Sequence, residues 1–159
     1  MSFSIRDFDI ARDKPAALSF ITGSQLYERE VEPDRRVDPQ VAEDYFPLLM
    51  DEVTTKRGRV FVAEQDGVVI GWAAITVEES PLFVIEEERT YGYITELFVA
   101  EKCRSLGVGQ ALIEACENEA RRLGLRQVMI GLLTNSGRTM DIYRQAGYQP
   151  YTSELRKYL

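Results

Sequence analysis

The chain has 159 residues, 19 Lys and Arg against 26 Asp and Glu, a net charge of −7, no histidine and two cysteines. That length suits one domain, residues 1–159, around a single core. The missing imidazole removes Ser-His-Asp and Cys-His machinery, whose usual base is absent, and a haem held by histidine. Two thiols cannot by themselves close a four-ligand zinc site, so no metal is expected.

The acidic balance argues against a nucleic-acid partner, whose phosphates would be repelled, and is compatible with cationic ligands. No apolar signal segment opens the chain, and no apolar run approaches the ~18 residues of a membrane span. The expectation is a cytoplasmic protein without a membrane partner, with Cys103 and Cys116 as reduced thiols.

Phe3, Ile5, Phe8 and Ile10 read as a first strand, and Asp13-Lys14-Pro15 as a capped helix start weakened later by Gly23. Residues 28–39 carry five acids and three arginines and read as a solvated loop. A second helix is expected from Val41 to Lys56, with Tyr45, Leu48, Leu49 and Val53 as its apolar stripe and Pro47 as an interruption. The β-rich runs Arg59–Gln65 and Val68–Ile75 around Asp66-Gly67 predict a hairpin.

After an acidic connector, Tyr91–Val99 predicts a strand, Val108–Leu123 an amphipathic helix ended by Gly124, and Gln127–Leu133 a strand. Arg138–Ala146 predicts a short helix and Tyr148–Tyr158 a last strand. The order β-α-α-β-β-β-α-β-α-β makes a mixed α/β, that is α+β, fold around one sheet.

The most informative stretch is Arg104-Ser105-Leu106-Gly107-Val108-Gly109-Gln110, between a strand and a long helix. Its glycines allow close backbone approach, and free N–H groups at the start of the helix suit a phosphate or pyrophosphate. A plain glycine turn before a structural helix is the competing reading. Residues 101–126 hold five bases and four acids, a local +1, which leaves −8 for the rest of the chain. A Walker A loop fails because Gln110 and Ala111 follow Gly109, and a dinucleotide fingerprint fails at Leu112.

Arg104-x-x-Gly107-x-Gly109, preceded by Ile94–Val99, resembles the acetyl-CoA-binding motif of the GCN5-related N-acetyltransferase (GNAT) family. Asn135…Tyr143…Gly147-Tyr148 is similar to a second segment of that family, with Ser136 as a rival for the role of Asn135. Ser105 departs from the glycine common there. The resemblance implies a mostly antiparallel twisted sheet flanked by helices, and acetyl-CoA as the acyl-donor cosubstrate. It further implies that backbone groups of Leu97, Phe98 and Val99 meet the pantetheine arm. The amides of Arg104, Ser105, Leu106, Gly107, Val108, Gly109 and Gln110 would meet the pyrophosphate. The Val99 N–H would polarise the thioester carbonyl.

Acyl transfer to an amine requires loss of a proton from an ammonium of pKa about 10.4, and without histidine a carboxylate or tyrosine must receive it. Glu96, flanked by apolar residues, is the candidate base, directly or through water; an exposed sheet glutamate is the alternative. The resemblance makes Tyr143 the acid for the departing thiolate, against a merely packing role. Arg104 is expected to contact phosphate or solvent. Glu78, Glu79, Glu86, Glu87 and Glu88 can border an acceptor mouth or form a solvated face, and Trp72, Tyr91 and Tyr93 can line it or fill the core. The expected activity is acetylation of a primary amine, of a small molecule before a protein N-terminus or lysine. A non-catalytic acyl-CoA-binding domain is the rival class, and a homodimer stays open.

Overall fold

The computed structural model describes residues 2–159. Five strands, β1 (Ser4–Asp7), β2 (Arg59–Gln65), β3 (Val68–Glu79), β4 (Thr90–Val99) and β5 (Val128–Ile130), form one sheet in the order β1-β2-β3-β4-β5. The first four pair antiparallel, whereas β4 and β5 run parallel. Helices α1 (Ile10–Val31) and α2 (Gln40–Thr55) cover one face, and α4 (Val108–Arg122) with α5 (Gly137–Gln145) the other. The helical turn α3 (Glu86–Arg89) lies in the β3–β4 connector. This is the α+β, mostly antiparallel sheet expected.

Because both faces are covered, β3 is buried without interruption from Ile70 to Thr76, and its sequence is apolar nearly throughout. Trp72 is fully buried between Phe8 and Phe20, so it is core and not a cleft wall. On the opposite face Leu112, Ile113 and Cys116 of α4 are fully buried, and both cysteines are free thiols.

The structure corrects several boundaries. α1 is capped by the Asp9 side chain and starts a turn before Asp13, which is buried and held by Arg6 at 2.7 and 2.9 Å. It passes through Pro15 and continues to Val31, so only residues 32–39 remain of the expected loop. α2 runs unbroken through Pro47. Tertiary packing outweighs the roughly 3 kcal/mol cost of proline in a helix interior.

β5 is shorter than expected, and the last strand predicted over Tyr148–Tyr158 does not form. The tail lies exposed outside the sheet, with Arg156 bound to Glu32 at 2.7 Å and to Asp34. Its apolar residues Tyr148, Tyr151, Leu155 and Tyr158 stand three or four apart without the alternation of a half-buried strand, and the tail takes no ladder partner among the described residues.

Gly23 sits within α1 because that helix crosses β4 closely there. A Cβ at position 23 would lie 2.6 Å from Phe98 Cζ. Alanine normally gains about 1 kcal/mol over glycine in a helix. Gly23→Ala is instead expected to lower stability by about 1–3 kcal/mol, read by thermal unfolding, because Phe98 must shift.

Candidate active site

β4 leads through a tight turn at Glu101–Cys103 into the Arg104–Gly107 loop and α4. Gly107 has φ +82°, a left-handed conformation that turns the chain into the helix at no side-chain cost. Ser105 adopts φ +65°, so the position where the related motif has glycine does require its geometry. The first intrahelical bond runs from Ala111 N to Gly107 O at 3.0 Å. The amides of Val108, Gly109 and Gln110 therefore have no intrahelical acceptor. No side chain caps this terminus and no acid occupies its first turn, leaving its positive end open to an anion.

A Cβ at Gly109 would meet only Val99 Cγ2, at 3.7 Å. No atom of the protein requires a glycine there. Leu106 and Gln110 are exposed, Val108 is buried, and the lone charged side chain of the motif turns inward. Arg104 Nε donates to Val99 O at 3.2 Å, and its guanidinium lies 5.6 Å from the Phe98 ring and 6.0 Å from that of Tyr27. A carbonyl and two aromatic faces hold this side chain, an environment that suits a planar, weakly hydrated cation.

β5 accompanies β4 only from Gly92 to Ile94, so β4 has an open edge from Thr95 to Val99. Ala100 N donates to Ile70 O of β3 at 2.8 Å. Alternation then directs the backbone groups of Phe98 to β3 and those of Leu97 and Val99 to the open edge.

A bulge sets the direction of Glu96. Ala74 is opposite Glu96 and Ile75 opposite Ile94, leaving Thr95 as an extra residue whose Oγ1 donates to Ala74 O at 3.3 Å. Ile94 packs on the α4 side, and strict alternation would send Glu96 there too. The bulge reverses it toward α2. Tyr45 Oη of α2 donates to Glu96 Oε1 at 2.8 Å.

Glu96 is half-buried, at the base of a cleft of about 470 Å³ lined by Gln25, Glu28, Arg36, Asp44, Tyr45 and Leu48 among others. Burial pushes its carboxyl from 4.5 up to about 7, the Tyr45 hydrogen bond opposes that rise, and Glu28 adds to it. A second lobe of about 350 Å³ is lined by Tyr45, Glu52, Glu78, Tyr91, Tyr93 and Thr95. Of the connector acids only Glu78 lines a lobe, tied to Lys56 at 2.8 Å; Glu88 faces Arg126 at 3.4 Å.

Tyr143 is buried on the α4 side, in the cluster against which Leu97 and Val99 pack. Burial, then Tyr27, Glu28 and Tyr93, push its hydroxyl up to about 12. Tyr27 Oη and Thr139 Oγ1, 3.1 Å apart, join α1 to α5. Asn135 is exposed before α5, whereas Ser136, the N-cap residue of that helix, is buried. Tyr45, Glu28, Asp44 and the Thr95 bulge are the site features that the sequence reading missed. Tyr45 matched a helical apolar stripe, and a bulge has no signature in one sequence.

A family model described as the acetyltransferase (GNAT) family matches residues 23–148. The chain belongs to the GNAT family. This acetyltransferase is 29% identical over 140 residues to an "IAA acetyltransferase" of Azospirillum brasilense, covering 87% of this chain and 82% of the relative. A structure described as a predicted acetyltransferase with acetyl-CoA, from Clostridium acetobutylicum, superposes with a TM-score of 0.74 at 20% identity, covering 99% of this chain and 96% of the other. Glucosamine-6-phosphate N-acetyltransferase from Arabidopsis thaliana superposes with a TM-score of 0.68 at 16% identity, over 99% of both chains. As a GNAT protein the chain is an acyltransferase enzyme. Among the described residues no cluster suits a metal ion, and no helix is long and apolar enough to cross a membrane.

Proposed function

We propose that this acetyltransferase takes acetyl-CoA as its acyl donor and acetylates a primary amine of a small molecule by direct attack in a ternary complex. The carrying observation is Glu96, a carboxylate pushed up to about 7 at the base of an open cleft, beside the bare edge of β4. A base works best with a pKa near the operating pH.

The residues present fit the donor. The uncapped amides of Val108, Gly109 and Gln110, with the loop from Arg104 through Ser105, Leu106 and Gly107, suit a pyrophosphate. Leu97 and the Val99 N–H offer free backbone groups to an amide-bearing arm, while the Val99 carbonyl accepts from Arg104, and Asn135 is exposed in the turn that enters α5. When bound, the donor supplies an activated acetyl thioester. The Val99 N–H then stabilises negative charge developing on the acyl oxygen. Glu96 takes the acceptor's proton, directly or through water. Tyr143, held protonated through neutral pH by burial, gives its proton to the departing thiolate.

Of the three proteins compared above, two bear different names, IAA acetyltransferase and glucosamine-6-phosphate N-acetyltransferase, which supports leaving acceptor choice to the cleft side chains. A CoA-release screen of polyamines, aminoglycoside-like compounds, amino acids and peptides, with several acyl-CoA donors, tests the reading. Saturable release with acetyl-CoA and a small amine is expected. No release from any amine overturns it, and release with peptides alone makes the protein a protein acetyltransferase.

A further inference from the structure

α2 carries a side chain whose place in the apolar stripe hides its second role. Tyr45 packs its ring beside the α1–α2 core, while its hydroxyl ends on Glu96 and its body forms the wall shared by both lobes of the cleft. We propose that Tyr45 is a positioning residue for acyl transfer: its hydroxyl fixes the Glu96 carboxylate through Oε1 toward the cleft and favours the ionised form that accepts a proton. This rests on the reading of Glu96 as base.

The surroundings single out Tyr45. From α1, Glu28 faces the same cleft but is engaged by Arg35 Nε at 2.7 Å. From the loop before α2, Arg36 is bound to Asp38 at 2.9 Å and Asp44 at 3.1 Å, so its charge is spent away from Glu96. From α2 and β3, Glu52 and Glu78 share Lys56 at 2.6 and 2.8 Å. From β4, Tyr91 and Tyr93 line the second lobe, and from α5 Tyr143 lies on the other face of the sheet. Among the described residues, Tyr45 alone donates to the Glu96 carboxylate, and Oε2 receives no hydrogen bond. Oε2 is thereby left for the amine or for a bridging water.

A hydrogen bond to the charged form of an acid favours that form, and here it opposes a burial that favours the neutral form. The bulge at Thr95 points the carboxylate at α2, and Tyr45 meets it there at 2.8 Å. Backbone and side chain thus aim the same atom. The Tyr45 hydroxyl itself stays protonated, because burial and the adjacent Glu96 both raise its pKa.

The test is the pH dependence of kcat/KM in the full-length protein, together with a carbon-13 titration of the Glu96 carboxyl in free enzyme. In Tyr45→Phe the acidic limb is expected to move upward by about one unit, with a rate about tenfold lower at pH 6.5 that recovers above pH 9. Placing 3-fluorotyrosine at position 45, a stronger donor with the same ring, is expected to move the limb the opposite way. The carboxyl titration must follow both shifts. A limb and titration that stay fixed in both variants, or a rate loss equal at every pH, overturn the role of Tyr45. Full activity of Glu96→Gln at every pH overturns instead the base assignment beneath it.

Discussion

Glu96→Gln is expected to lower kcat by about 10²–10³-fold and to abolish the acidic limb of the pH–rate profile, because the amide keeps the shape but cannot take a proton. The same variant is expected to be more stable than wild type above neutral pH. The folded-state pKa of Glu96 is raised from 4.5 to about 7, so the folded protein binds this proton more tightly than the unfolded chain does. Stability from this group is therefore present below about pH 4.5 and is lost as pH rises toward 7. Above that window, burying the ionised carboxylate costs of the order of 3 kcal/mol. Thermal melts between pH 5 and 9 check this: the advantage of Glu96→Gln must grow with pH. A variant as fast as wild type would contradict the base role, and one less stable than wild type at pH 8 would contradict the burial.

Gly109→Val is expected to raise the KM for acetyl-CoA at least tenfold while leaving the fold intact. The basis is steric. The protein's own atoms leave room for a Cβ there, its nearest contact being Val99 Cγ2 at 3.7 Å, and valine is the better helix residue. An isopropyl group on the first turn of α4 would instead occupy the space where a phosphate must approach the amides. Calorimetric titration with CoA and steady-state kinetics separate the outcomes. Unchanged affinity would mean that the anion does not lie over this turn. Gly107→Ala serves as a contrast, since φ +82° makes alanine strained there and the expected loss is stability of about 1 kcal/mol.

The hairpin around Asp66-Gly67, the glycine loop and the amphipathic α4 were legible because each rests on local chemistry. A two-residue turn needs φ > 0 and has it at Asp66 and Gly67, a loop entering a helix needs Gly107, and a helix facing a sheet needs one apolar stripe. Without histidine, Glu96 and Tyr143 are the proton-moving candidates, and the structure sets them on opposite faces of the sheet, with the Val99 side chain on the Tyr143 side. The tail was misread for the converse reason. A strand there needs a ladder partner, and Tyr151, Leu155 and Tyr158, four and three apart, neither alternate nor pair with the three-residue β5.

By itself the sequence determined the element order up to α5 apart from the short α3, the glycine loop before α4 and the short roster of titratable groups, since turn chemistry, periodicity and composition are properties of neighbouring residues. Only the tertiary structure decided where those groups point. One extra residue at Thr95 turns Glu96 from α4 to α2, Tyr45 arrives from 51 positions away to meet it, and Arg104 turns from the loop to the Val99 carbonyl. Ladder register and contacts distant in sequence fix these directions, and the protonation of a buried carboxylate depends on whatever those contacts bring beside it.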